Sequence, residues 1–232
     1  MSAGSETPAK RRRSYRNESL ASADLVGVDL RDVVFEHVDL TGANLRGACL
    51  DGAILRHCDL SGADLSLALL RRTSLALVEL RRTNLAHCDL RLSNWTSCIA
   101  EEADFLSAKL DRAAFIACRF DGADFTRASL LQTNTLHSVF SRARFDQARK
   151  FAWSREIVVE ILARAADDLE GSKYVGAIAL HQDWCYEKWR SILINAPRYR
   201  SLALKILSAY PDSDFAAAMH GQKPSTSPDN DP

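Results

Sequence analysis

Side chains that could do chemistry are present in this sequence, but few of them stand at the spacings that chemistry needs. His181 and Cys185 are four residues apart in a stretch with helical periodicity, so they would share one helix face, as a base and its nucleophile must. No third group is placed to orient the histidine, and the surrounding stripe of Trp indicates a packed core. Phosphate-binding glycine loops, HExxH and GxSxG are missing. We therefore expect no catalytic residues and no cofactor.

The dominant pattern is a period of five residues from Leu20 to Phe145. Of twenty-six positions at this spacing, sixteen are Leu and seven are Phe; the exceptions are Trp95, Ala100 and Thr135. The residue two places before each of these positions, from Ala23 onward, is small or β-branched. A helix turns about 500° in five residues and a strand alternates its faces, so neither buries such a stripe. The chain must turn a corner every five residues and wind into a solenoid with coils about 4.8 Å apart.

Four segments carry the same motif, A-(D/N)-(L/F): Ala43-Asn44-Leu45, Ala63-Asp64-Leu65, Ala103-Asp104-Phe105 and Ala123-Asp124-Phe125. With this motif, the chain resembles the pentapeptide-repeat family. The resemblance implies a mainly β fold, a right-handed quadrilateral β-helix with four pentapeptides per coil. The coil from Trp95 to Glu102 departs most from the motif, and we expect a local widening or a small bulge there.

Composition and periodicity divide the chain into four segments. We expect a disordered basic arm over residues 1–17, the β-helix over 18–149, a small α-helical region over 150–220 and a disordered tail over 221–232. The helical region holds three of the four Trp, so it must bury its apolar faces, and we expect it to cap the last coil near Phe140 and Phe145. No apolar run of membrane-spanning length and no signal peptide are visible, which favours a cytoplasmic protein without a membrane contact.

Cysteine and histidine positions argue against a metal site. Four cysteines occupy the small inward position of the repeat: Cys58, Cys88, Cys98 and Cys118. We expect buried free thiols, although Cys98 and Cys118 would stack on adjacent coils, close enough for a bridge. His37 and His57 fall on one side of the solenoid one coil apart, and His137 is four coils further on. Three histidines at that spacing cannot share an ion.

Residue number modulo twenty assigns outward side chains to the four sides and predicts two candidate binding surfaces. The side centred on Phe35 and Trp95 is unusually apolar, and its candidate partner-binding residues are Val34, Ile54, Leu77, Ile116 and Leu136. Its occupant is open between a second subunit, a foreign protein and the chain's own C-terminal region. The preceding side stacks Arg71, Arg72 and Arg91 without a carboxylate between them, a candidate site for a phosphate or an acidic partner. A further side carries a ladder of Asp and Asn, from Asp24 to Asp124, which we expect to bond turn backbone.

Three functions fit these features. The first is a noncatalytic scaffold that presents the faces of a rigid β-helix to a protein partner, with the helical region as a cap or a homodimer contact. The second is implied by the resemblance, because some family members mimic DNA, bind DNA gyrase or topoisomerase IV and protect it from topoisomerase poisons. The near balance of charge in the repeat region argues against that mimicry. The third, nucleic-acid binding through the arginines and the basic arm, is disfavoured by the interspersed acidic residues.

Overall fold

The computed structural model describes residues 13–149, 157 and 159–161. Six short strands form one parallel sheet in sequence order: β1 (Ser14–Arg16), β2 (Val34–Glu36), β3 (Ile54–Arg56), β4 (Ser74–Ala76), β5 (Asn94–Thr96) and β6 (Ala114–Ile116). Each residue pairs with the one twenty positions later, as Tyr15 does with Phe35. From β1 to β6 the chain therefore completes five turns of a parallel β-solenoid.

The other three sides of each coil are held by single parallel bridges rather than by strands. Asp24 pairs with Asn44 and Asp29 with Cys49, and the same pattern continues to the pair Ser129 and Arg149. These bridges keep the register of twenty residues on every side. The predicted four-sided solenoid is thus confirmed for the described residues.

A residue with positive φ turns the chain in every repeat, at each fifth position from Asn17 to Gln147. Most of these residues are not glycine, although the left-handed conformation costs about 1–2 kcal/mol for other residues. The backbone hydrogen bonds of the stack offset that cost. At Leu67, for example, φ is 63°, and its N–H donates to the carbonyl oxygen of Ala86 on the next coil at 3.0 Å.

The interior contains the residues that the period of five selects. Every fifth residue from Leu30 to Phe145 is buried, and so are nearly all the small residues two places before them. Leu20 and Leu25 are only partly buried because they lie near the open end of the solenoid, where fewer coils cover them. The predicted inward positions are therefore confirmed, and the core changes from Leu in the first coils to Phe in the last ones.

The coil that contains Trp95 has no bulge, so that part of the expectation is wrong. Trp95 lies in β5 and pairs in register with Leu75 before it and Phe115 after it. Its indole is 1% exposed, packs edge-on against Phe115 and donates Nε1–H to Ser93 Oγ at 3.1 Å. Ala100 on the next side is fully buried and much smaller than the usual Leu. We infer that the small Ala100 leaves room in the same coil for the large indole.

The first end of the solenoid differs from the predicted boundary, and the last end is described only in part. Residues 14–16 form β1, and the ring of Tyr15 stacks on Phe35 at 5.2 Å, so the predicted disordered arm over residues 1–17 ends too late. At the other end, residues 157 and 159–161 are helical, and Ile157 and Ile161 are buried in the solenoid's core cluster. Glu160 Oε1 accepts the backbone N–H of Arg142 at 2.7 Å. The remainder of the predicted helical region and the tail lie outside the described residues.

Candidate protein-binding surfaces

The first candidate surface is the outer face of the six-stranded sheet, which we call the strand face. It comprises the residues on either side of each strand centre together with the residue at the following turn. Leu77 and Ile116 are exposed there by 53% and 36%, and Leu136, on the same side one coil beyond β6, is exposed by 49%. Val34 and Ile54 belong to the same face but are half-buried. The three exposed side chains are thus the ones available for contact without any rearrangement.

Exposed apolar side chains also occur away from the strand face. Val26, Leu67, Leu69 and Leu92 lie on other sides and are 38–52% exposed. What distinguishes the strand face is its backbone, since only this side forms continuous strands in the described part of the chain. Its side chains are therefore presented from a parallel sheet of constant register.

The second candidate surface is a groove of about 650 Å³ along the edge between the strand face and the side before it. We call it the Arg72 groove. It is lined at each of six coil levels, from Arg31 to Leu131, so it runs parallel to the solenoid axis. The predicted residues Arg71, Arg72 and Arg91 all line it, together with Leu92 and Arg112. Counting by twenty from Arg72 leads to both Leu92 and Arg112, so the register alone places all three in one row.

Two of the three predicted arginines already have carboxylate partners. Arg71 forms an ion pair with Asp51 on the preceding coil, and its backbone N–H donates to the same carboxylate at 2.9 Å. Arg91 holds Asp89 with two hydrogen bonds, from Nε at 2.8 Å and from Nη2 at 2.6 Å. Arg72 has no ion-pair partner among the described residues. Of the three predicted arginines, Arg72 is therefore the one whose charge no described carboxylate balances.

The ionisation of the paired groups follows from these contacts. Burial raises the pKa of Asp89, but the hydrogen bonds from Arg91 outweigh this effect, and the pKa ends below its ordinary value. The side-chain hydrogen bond with Asp51 raises the pKa of Arg71. In each pair the positive and the negative charge neutralise each other. They leave little net charge for a partner.

The predicted ladder of Asp and Asn serves the backbone, as expected. On every coil of that side but the last, the side-chain oxygen accepts the N–H two residues further on, for example Asp64 from Ser66 at 2.9 Å and Asp104 from Leu106 at 2.8 Å. These bonds close the corner of the coil. The ladder is structural, and we do not include it in a binding surface.

Cysteines and histidines lie where the register places them. Cys58, Cys88, Cys98 and Cys118 are buried free thiols, as expected. The rings of His37 and His57 stack at 4.7 Å beside an open hollow that also contains Leu77. In the described part of the chain, no three potential ligands among His, Cys, Asp and Glu are grouped to hold a metal ion. No helix among those residues is long and apolar enough to span a membrane.

The in-register stack of five-residue turns defines this protein as a β-solenoid of the pentapeptide type. Residues 19–56, 55–81, 79–115 and 118–149 match the family of Pentapeptide repeats, in eight copies. The matched segments cover more than half of the chain. The chain therefore belongs to the pentapeptide repeat family.

Several solved structures are similar to this chain, whereas no curated protein matches it. QnrB1, a plasmid-mediated fluoroquinolone resistance protein, is 15% identical with a TM-score of 0.41, over 60% of this chain and 82% of that chain. A pentapeptide repeat protein from the Arabidopsis thaliana thylakoid lumen is 23% identical with a TM-score of 0.21, over 50% and 67% of the two chains. HetL from the cyanobacterium Nostoc, a pentapeptide repeat protein involved in heterocyst differentiation regulation, is 20% identical with a TM-score of 0.16, over 58% and 86%.

Proposed function

We propose that this protein is a noncatalytic interaction module that presents its strand face to a protein partner. The observation that carries the proposal is the set of exposed apolar side chains Leu77, Ile116 and Leu136 on the side that forms β1 to β6. Leu136 lies one coil beyond β6, where a single bridge between Ala114 and Asn134 continues the pairing. Apolar groups on a regular surface bind well because the surface loses little conformational entropy on binding. Water released from those side chains supplies the driving force.

A filled interior supports a binding role over a catalytic one. The inward Leu, Phe and small residues of the described coils are buried in one continuous cluster. The charged side chains lie on the outside, where half of the arginines of the described solenoid form ion pairs along and between coils. Contact surfaces rather than an enclosed substrate site are what such a molecule offers.

Modulation of a type II topoisomerase by DNA mimicry is the competing proposal, and the surface charge does not favour it. Residues 13–149 contain 17 Lys and Arg against 18 Asp and Glu. A mimic of duplex DNA needs a strongly negative surface, because the phosphate backbone dominates the affinity of DNA-binding proteins. A gyrase supercoiling assay with and without ciprofloxacin tests this alternative. Protection of the enzyme at equimolar protein would favour mimicry over the module proposed here.

The direct test compares two matched substitutions on opposite sides of the solenoid. Leu77 and Leu67 are ten residues, or half a coil, apart; both have positive φ, 55° and 63°, and they are 53% and 50% exposed. Lysine at either position should be tolerated, because Arg72 and Arg82 have the same backbone conformation. We expect L77K combined with I116K to abolish capture of partner proteins from the native host, and L67K combined with V26K to preserve it.

Quantitative mass spectrometry of the captured proteins is the measurement, with circular dichroism to verify that every variant folds. Size measurement by light scattering distinguishes a second copy of this chain from a foreign partner. Equal capture by both double variants would refute the assignment of the strand face. Loss of capture in the L67K and V26K variant alone would move the interface to the opposite side.

A further inference from the structure

Arg72, Leu92 and Arg112 occupy the same row of the Arg72 groove on three successive coils. All three are exposed, and Leu92 by 40%. Neither arginine has an ion-pair partner among the described residues; Arg112 Nε donates only to the neutral amide oxygen of Gln132, at 3.0 Å. The row therefore presents two available guanidinium groups with an apolar side chain between them.

Asp32 continues this row two coils before Arg72. Its carboxylate has no ion-pair partner in the described part of the chain, and it lies over Gly52, which occupies the level between them. Along the groove the row thus has a negative side chain (Asp32), no side chain (Gly52), a positive one (Arg72), an apolar one (Leu92) and a positive one (Arg112). A ligand that fits this order needs one anionic group on each side of an apolar group.

Carboxylates of a protein fit the row better than the phosphates of a nucleic acid. A guanidinium binds a carboxylate through two parallel hydrogen bonds, and an apolar residue beside it removes water from the contact. Leu92 would meet no apolar group on a phosphodiester backbone. Asp32, Asp51 and Asp111 also line the groove and would repel a polyanion.

The spacing of the row matches the pitch of an α-helix. Coils of the solenoid are about 4.8 Å apart, so Arg72 and Arg112 are separated by about 9.6 Å along the axis. Seven residues of a helix advance about 10.5 Å and return to nearly the same face. Three or four residues advance about 5 Å, which places an apolar side chain near Leu92. A helix that lies along the groove thus keeps its register with three coils.

We propose that the Arg72 groove binds an acidic amphipathic helix of a protein partner. Two carboxylates seven residues apart contact Arg72 and Arg112, and an apolar side chain halfway between them packs on Leu92. A basic residue of the helix, seven positions beyond the carboxylate that contacts Arg72, approaches Asp32. The groove borders the strand face but shares no residue with it, so the variants that test this proposal are independent of those that test the proposed function.

The test uses the full-length protein and synthetic helical peptides as probes. The matched peptide carries Lys, Glu and Glu at steps of seven, with Leu midway between the two Glu, and it is made in both chain directions. A register-shifted peptide has the same composition with both Glu moved by two positions, which places them on another helix face. We expect the matched peptide, in one direction, to bind at least about tenfold more tightly than the shifted one, and more weakly as salt rises.

Protein variants locate the site. R72Q and R112Q each remove one guanidinium, and glutamine is compatible with this backbone because Gln132 occupies the same row with φ of 55°. R127Q is the matched control: Arg127 lies on another side, has nearly the same φ as Arg112, and donates to Gln147 as Arg112 does to Gln132. We expect R72Q and R112Q each to weaken binding of the matched peptide about tenfold, and R127Q to leave it unchanged.

Titration calorimetry or fluorescence anisotropy gives the dissociation constants. Absence of binding, equal binding of the matched and shifted peptides, or equal losses in R112Q and R127Q would each overturn the proposal. Tighter binding of a single-stranded DNA oligonucleotide than of the matched peptide would assign the groove to nucleic acid instead. Because the peptide comparison uses the unaltered protein, it stays decisive even where a variant fails to fold.

Discussion

Replacing Trp95 and Ala100 together should restore stability that either replacement alone removes. Trp95 packs against Phe105, Phe115 and Phe120, with ring centroids 5.5–6.4 Å apart. Phe120 lies one coil beyond Ala100 on the same side, so the indole extends toward the space that a leucine at position 100 would occupy. We expect Trp95→Leu to leave a cavity and Ala100→Leu to overfill the coil. In the double variant, the leucine at position 100 should fill the space that the indole at position 95 leaves.

The magnitudes follow from the burial of each group. Trp95→Leu removes more than half of a fully buried side chain and should cost about 2–3 kcal/mol, with about 1 kcal/mol more because the buried Ser93 hydroxyl loses its indole donor. Ala100→Leu should cost about 1–3 kcal/mol through overpacking. Independent effects would sum to about 4–7 kcal/mol. If the two side chains share one space, the double variant should lose only about 1–2 kcal/mol.

Urea unfolding followed by far-ultraviolet circular dichroism measures the four free energies of unfolding. Adding Ser93→Ala to the double variant removes the unpaired hydroxyl and should bring the stability nearer to that of the unaltered protein. A double variant that is as unstable as the sum of the single ones would refute the reasoning. In that case Ala100 would not provide the room that Trp95 occupies.

Two further predictions concern ionisation. Acid should destabilise the solenoid below about pH 4, because the backbone N–H and the hydroxyl of Thr41 hold the pKa of Asp39 below its ordinary value. A lowered pKa gives stability above the unfolded pKa that is lost as pH falls through the folded one. Asp39→Asn should therefore flatten the fall of the melting temperature between pH 7 and pH 2, and an unchanged slope would contradict this. Burial raises the pKa of Cys88 to about 12, so iodoacetamide at pH 8 should label half-exposed Cys49 in the folded protein but not Cys88; equal labelling by peptide mass mapping would contradict this.

The fold was predictable because the repeat restricts the residue type at each inward position. A single register also survives its exceptions, since Trp95 pairs in step with Leu75 and Phe115 and the expected bulge did not occur. The first strand was missed for a related reason. Tyr15 continues the period of five, but Arg13 stands where a small residue is usual, and the neighbouring basic cluster obscured the pattern.

The ion pairs were harder to predict from the sequence than the fold, because residue number modulo twenty compares only side chains of the same row. Arg91 was expected to lack a carboxylate, yet its partner Asp89 stands two residues earlier, across the corner of the coil. The pair of Arg71 with Asp51 is a different case, because the two residues are twenty apart and the comparison by row does place them together; grouping Arg71 with Arg72 as an available cation was wrong. A correct reading needs the neighbours within a coil as well as those between coils.

The ion pairs of the described solenoid follow a rule of sequence spacing, and this rule predicts which arginines of the Arg72 groove lack a carboxylate partner. Every pair joins residues that are 2, 18 or 20 positions apart. A residue two positions away lies across one corner of the same coil, and residues 18 or 20 positions away lie on the adjacent coil. Arg72 and Arg112 have no Asp or Glu at any of these offsets in either direction, so both must remain without a carboxylate from the solenoid. The same geometry that neutralises Arg71 and Arg91 leaves these two, separated by Leu92, to meet the carboxylates of another molecule.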